Sequence, residues 1–218
     1  KIEMLPAHQG DSLWISYGEP EKLNYILIDG GTKGTYNSIK KKIESLNLAD
    51  RHLELMVITH IDADHIEGIL KLFQDEQFDI SVDEIWFNGW KHISDNDFET
   101  FGPVQGEKLT ELLINQNRQW NQKFNGKAVC IGEQDELPSK LFDGGIKLTL
   151  LSPDQNKLTK LIPVWEKICT EEGLKPGVPA VERITSNNYE VMGPLDVEEL
   201  CEETFEYDKT EANGSSIA

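Results

Sequence analysis

The 218-residue chain is poor in cysteine, in basic charge and in long apolar runs. Its three cysteines, Cys130, Cys169 and Cys201, form no C-x-x-C pair and are odd in number. That argues against a disulfide framework and for a reducing, cytoplasmic setting in which they fill structural positions. No apolar stretch approaches the roughly 18 residues of a membrane span, so no membrane partner is expected. The opening Lys1-Ile2-Glu3-Met4 has no basic-then-apolar signal pattern, and without an initiator Met it reads as a trimmed or processed start. Neither G-x-G-x-x-G nor G-x-x-x-x-G-K-[ST] occurs, which removes the common nucleotide-binding fingerprints. Lysine and arginine number 21 against 39 aspartates and glutamates, a net charge of −18. Such a surface repels phosphate backbones and excludes non-specific coating of nucleic acid. It does not exclude a local metal site of opposite sign.

Hydrophobic residues make up 38%, enough for a real core. Runs at 13–17 and 23–28, split by Gly18-Glu19-Pro20, predict a hairpin. Ile39, Ile43 and Leu46 fall at helical spacing within 36–46. The stretch 53–59 reads as an inner strand covered on both faces. It is followed by a polar turn and a helical pattern over 66–73. Further strands are predicted at 82–88, 127–132 and 146–151. Further helices are predicted at 105–116 and at 157–169, the latter interrupted before Pro163. Residues 173–194 are rich in Pro, Gly and Asn and read as an exposed loop or insertion. A short acidic helix is expected near 197–201. The end, Asn213-Gly214-Ser215-Ser216-Ile217-Ala218, reads as the entrance to a strand. The class is α/β.

The chemistry concentrates in His60-Ile61-Asp62-Ala63-Asp64-His65, directly after the inner strand. Ligand sites of open α/β sheets cluster at such strand ends. Imidazole with carboxylate suits Zn²⁺, Mn²⁺ or Fe²⁺. His60 and Asp62, one residue apart, are placed to share one ion, and Asp64 and His65, further round the turn, a second. The competing reading is an acidic turn in which Asp62 or Asp64 only caps the helix. Two histidines framing two aspartates after a buried strand favour metal.

Other residues are weighed against simpler roles. His8, beside Gly10-Asp11, is expected at the surface. Asp29, before Gly30-Gly31, shapes a turn or bonds a ligand histidine from behind. His52 is expected in solvent. His92 lies on a polar stretch within reach of a substrate. Trp86, Phe87 and Trp90 read as core rather than as a base-stacking platform.

The stretch Thr59-His60-Ile61-Asp62-Ala63-Asp64-His65-Ile66-Glu67-Gly68 resembles the T-H-x-H-x-D-H-x-x-G signature of the metallo-β-lactamase superfamily, with Asp62 in place of its second histidine. Gly10-Asp11-Ser12 and 26–31 look like the superfamily's first hairpin. Residues 83–89, Gln105-Gly106, 150–153 and 212–218 are similar to a bacterial branch related to the hydrolase domain of competence-type DNA-uptake proteins.

The resemblance implies an αββα sandwich of two halves with two divalent ions, Zn²⁺ or Mn²⁺, between them. Residues 1–172 would be the N-terminal part, 173–208 the insertion and 209–218 the entrance to the second half. It implies His60 and Asp62 on one ion, and Asp64 and His65 on the other, with Asp64 also orienting the attacking water as the catalytic residue. Asp62 in the histidine position implies a shift towards harder ions such as Mn²⁺. The superfamily's later histidines and bridging aspartate have no counterpart here. The expectation is that a missing C-terminal half or a second chain completes the site, and that the 218 residues alone are inactive. The expected activity is a two-metal phosphodiesterase, a nuclease, as an effector of bacterial anti-phage defence with a nucleic-acid substrate and a regulatory protein partner. The alternatives are a hydrolase of a small thioester, lactone or cyclic amide, or a metal-stabilised interaction module.

Overall fold

The computed structural model describes residues 1–7, 9–78, 80–93, 104–132, 136–171 and 211–218. The strands are β1 (Ile2–Met4), β2 (Leu13–Glu19), β3 (Lys22–Ile28), β4 (His52–Val57), β5 (Ser81–Trp86), β6 (Ser139–Leu141) and β7 (Lys147–Thr149). The helices are α1 (Tyr36–Glu44), α2 (Ala63–Gln74), α3 (Trp90–Ile93), α4 (Val104–Asn115), α5 (Gln155–Glu171) and α6 (Glu211–Gly214). Five strands form one sheet in the order β1-β2-β3-β4-β5. The predicted hairpin is β2–β3, antiparallel with Trp14 opposite Leu27. From β3 onward the pairing is parallel, β3 to β4 and β4 to β5. This is an α/β chain, as expected.

Alternation along the strands sends side chains to two cores. Leu27, Met56 and Ile85 point into a core shared with Ile39 and Ile43 of α1, Ile66 and Ile69 of α2, Leu109 of α4 and Trp165 of α5. Ile26, Leu55, Val57 and Trp86 point the other way, against Val129, Phe142, Leu150 and Ile217. β4 therefore sits between paired strands and is covered on both faces, as its apolar run predicts.

Four expectations need correction. Residues 127–132 form no strand; Ile131 makes one isolated bridge to Asp154. The reason is Asn88, whose side-chain amide donates to Val129 O (2.9 Å) and accepts from Val129 N (2.8 Å), taking the place of a neighbouring strand. The helix before Pro163 is not interrupted: α5 runs through it for 17 residues. Leu158, Leu161 and Trp165 are all buried on one stripe, which offsets the roughly 3 kcal/mol a mid-helix proline costs. The last residues start as one helical turn, α6, before extending. The strand expected over 146–151 is only three residues long.

Cys130 is a free, half-buried thiol. The side chain of Cys169, Cys201, the 173–208 insertion and the acidic helix near 197–201 lie outside the described residues. No helix among the described residues is long and apolar enough to cross a membrane.

Candidate metal centre

β4 ends at Val57 and the chain crosses to α2 through Ile58 to Asp62. The loop after β3 holds this crossing in place. Asp29 N donates to Val57 O, Gly30 N to His65 O (2.7 Å) and Gly68 N to Gly31 O (3.1 Å). Two close approaches demand glycine. A Cβ on Gly68 would collide with Gly30 O, and one on Gly10, at φ +69°, with Asp64 O. The first turn of α2 is thus clasped between the β1–β2 loop and the 29–31 turn.

Asp62 occupies the N-cap position of α2, yet its side chain makes no capping hydrogen bond. Its carboxylate instead lies 3.6 Å from His60 Nε2, and Asp64 Oδ2 lies 3.8 Å from His65 Nε2. Each imidazole Nε2 thus has one solvent-facing carboxylate nearby, Asp62 beside His60 and Asp64 beside His65. The two rings are 3.9 Å apart between centroids. His60 and His65 are the covered members, at 5% and 12% side-chain exposure, while Asp62 and Asp64, at 39% and 41%, face solvent.

Asp29 does more than shape a turn. It adopts φ 57° and is buried. Its Oδ1 accepts from Thr59 N (2.8 Å), and its Oδ2 accepts from the Thr59 hydroxyl (2.7 Å) and from His65 Nδ1 (2.9 Å). Asp29 is therefore both turn former and hydrogen-bond partner of a histidine, the two roles its position suggests.

The hydrogen bonds assign the tautomers. A carboxylate only accepts, so His65 Nδ1 carries a proton, and Nε2 holds a lone pair when the ring is neutral. Thr59 has one hydroxyl proton, and Asp29 takes it. His60 Nδ1, 2.8 Å from Thr59 Oγ1, must therefore donate to that oxygen. His60 Nε2 is left as a lone pair, buried and with no hydrogen-bond partner. An orphaned imidazole nitrogen costs desolvation unless something electrophilic meets it. A divalent cation is such a partner, so the residues present fit a metal.

Asp29, His60 and His65 offer ligand atoms within 4.8 Å of one another. Asp29 is a neighbour of the ligands more than a ligand, since its oxygens already accept three hydrogen bonds and it holds His65 from behind.

Burial depresses the His60 pKa, and the adjacent His65 depresses it further against the pull of Asp62. At His65 burial acts downward too, but the Asp29 hydrogen bond and charge, with Asp64 and Asp11, outweigh it and the pKa rises.

The remaining candidates fall away from this centre. His92 sits in α3 with Nδ1 accepting from Gly89 N (3.1 Å). Burial, then the neighbouring Lys91, push its pKa down to about 3. It packs edge-on against Trp120, so its contacts among the described residues are structural. His52 is not simply solvated: it bonds Ser81 through Nδ1 and Asp83 through Nε2, both at 2.9 Å. It lies with Glu54 and Asp83 in a second His-carboxylate group, with both ring nitrogens already engaged. Trp86, Phe87 and Trp90 are core, as expected. His8 lies outside the described residues. Sequence reasoning missed Thr59 and Ser216, the hydroxyls on His60 Nδ1. Thr59 lies within the motif, but no local pattern joins Ser216 to it.

Residues 8–136, more than half of the chain, match the family model of the metallo-beta-lactamase superfamily. The chain belongs to that superfamily. No curated protein and no solved structure matches it. The superfamily consists mostly of hydrolytic metalloenzymes that bind divalent metals. The superfamily match covers Asp29, His60, Asp62, Asp64 and His65, and membership suggests a metal-dependent hydrolase.

Proposed function

We propose that the chain is a two-metal phosphodiesterase of nuclease type. His60 and Asp62 hold one ion, and Asp64 and His65 the second. The observation that carries the metal reading is the pair of Nε2 lone pairs, 3.6 and 3.8 Å from carboxylate oxygens at the mouth of β4. The nuclease reading rests on the likeness of 83–89, 105–106, 150–153 and 212–218 to the DNA-uptake branch.

When bound, the cations supply an acidified water and Lewis-acid stabilisation of developing charge. The protein's part is to fix geometry. Asp29 locks His65, Thr59 locks His60, and Asp64, on the first turn of α2, orients the attacking water from the solvent side. Behind His60 lies a cavity of about 10 Å³ lined by Thr59, Phe87, Asn88 and Ser215, room for one water at most. In this reading the substrate approaches over the exposed Asp62 and Asp64.

Asp62 in place of an imidazole adds charge and favours Mn²⁺ over Zn²⁺. Two protein ligands per ion among the described residues leave each ion short of a full set, and in this reading a further segment or a second chain completes the centre. With a net charge of −18, that partner also supplies the basic groove for DNA. A regulatory protein that holds the nuclease inactive suits an anti-phage effector working in the cytoplasm.

The test is cleavage of plasmid DNA by the protein expressed from its full coding sequence and loaded with Mn²⁺ or Zn²⁺. EDTA and Asp64→Ala should each abolish it, with the fold retained. Intact plasmid alongside rapid turnover of a thioester, lactone or cyclic amide would replace the nuclease by the small-molecule hydrolase, for which the acidic surface is no handicap. Turnover by the 218 residues alone would refute the need for a completing partner.

A further inference from the structure

Residues 213–218 reach the metal centre from the far end of the sequence. Ile217 N donates to Thr59 O (2.9 Å), Ala218 N to Ser152 O (3.0 Å) and Leu151 N to Ala218 O (2.6 Å). Ile217 is buried in the second core, and Ser215 is buried as well. Ser216 is thus fixed on both sides. Its Oγ lies 3.2 Å from His60 Nδ1, across 156 residues of sequence.

We propose that Ser216 is a positioning residue of the metal centre. Its hydroxyl is a second acceptor for the His60 Nδ1 proton and holds Nε2 towards the ion. The contact itself stands without the metal reading above; only its consequence for binding rests on that reading. Thr59 Oγ1 has given its proton to Asp29 and meets Nδ1 with a lone pair. With Thr59 as the single acceptor, its hydroxyl can swing its proton from Asp29 to Nδ1, and one bond alone holds the imidazole against a turn about its Cβ–Cγ bond. A second oxygen from a separately anchored segment opposes that turn, because the flipped ring would present a C–H to two oxygens and lose both bonds. The C-terminal segment thereby becomes part of the centre without supplying a ligand.

The experiment compares wild type, Ser216→Ala and Ser216→Thr in the 218-residue chain, with two readouts. Nitrogen–proton correlation spectra of the metal-free protein report the His60 tautomer. Competition with a chromogenic chelator reports Zn²⁺ affinity. Wild type and Ser216→Thr should show a single Nδ1–H tautomer. Ser216→Ala should show mixed tautomers and bind Zn²⁺ about tenfold more weakly, or worse, as loss of an outer contact to a metal histidine does. If the alanine variant does not fold, Ser216→Cys, a poor acceptor of the same size, should show the same loss. A wild-type tautomer and wild-type affinity in the folded alanine or cysteine variant would overturn the proposal and leave the metal reading intact. A tautomer shift in Ser216→Ala, with no Zn²⁺ bound by any form, would uphold the contact and remove the metal reading instead.

Discussion

At the residue scale, Asp29 is the most consequential buried side chain. Three donors converge on it from Thr59 and His65, so one carboxylate sets the tautomers of two imidazoles. Asn tolerates its left-handed backbone, so Asp29→Asn spares the turn and tests the carboxylate's charge and its two acceptor oxygens together. The amide can accept on one side only, and its NH₂ would face the Thr59 and His65 donors. We expect a loss of about 1–3 kcal/mol in stability and about 10–100-fold in Zn²⁺ affinity, read by urea unfolding and chelator competition. Unchanged affinity would reduce Asp29 to a turn former. His92 makes a pH prediction. Its pKa, near 6.5 in the unfolded chain, falls to about 3 on folding. Between those values the unfolded state binds the extra proton, so stability rises with pH. This contribution is fully present above about 6.5 and lost as pH falls towards 3, at no more than about 1.4 kcal/mol per pH unit. Unfolding free energies of wild type and His92→Gln, measured from about pH 4 to 7, should converge on the acid side. Parallel curves would show that His92 does not titrate in this window.

At the element scale, the site depends on how α2 is seated. Gly68 is on its second turn, and a methyl there would collide with the carbonyl of Gly30, not with a side chain that can move. Because Gly30 N also bonds His65 O, relieving the clash would pull the 29–31 turn off the start of the helix. Gly68→Ala should therefore cost about 1–3 kcal/mol or more, against the small gain alanine brings to an exposed helix. It should also weaken metal binding although no ligand has changed. A stabilised variant in thermal melts would mean that helix and turn separate freely.

The same scale shows what the sequence could and could not disclose. β2, β3, β4, α1 and α2 were legible because each carries its own apolar period and its own Gly, Pro or Asp punctuation. The four-residue His/Asp cluster was legible because its members lie within six positions. The strand expected at 127–132 failed because an amide 41 residues away, Asn88, supplies its pairing. Local pattern also placed a break at Pro163, where burial of Trp165 and its neighbours decided otherwise. Ser216 could not be found for the same reason: its partner is set by how the last segment threads between Thr59 and Ser152.

At the scale of the whole molecule, the metal centre sits where separate parts of the chain converge. The β1–β2 loop, the 29–31 turn, the end of β4, the start of α2 and the segment after α6 all meet at His60 and His65. The centre also gathers four acidic groups, Asp11, Asp29, Asp62 and Asp64, close enough to act on the two histidines, in a chain already at −18. Cation binding relieves that repulsion and exists only in the folded arrangement, so binding and folding are linked. A ligand at about 100 times its Kd stabilises the native state by about 2.7 kcal/mol. For a chain of this size that is a rise in Tm of roughly 5–10 °C. Melting the EDTA-treated chain with and without excess Mn²⁺ or Zn²⁺ measures it. His60→Ala removes a ligand and should lose most of the rise. His52→Ala, a change at the opposite end of β4 from this convergence, should keep it. A rise of equal size in the His60→Ala variant would place the cation elsewhere, at the His52–Glu54–Asp83 group, which the His52→Ala melt would then reveal by losing its own shift.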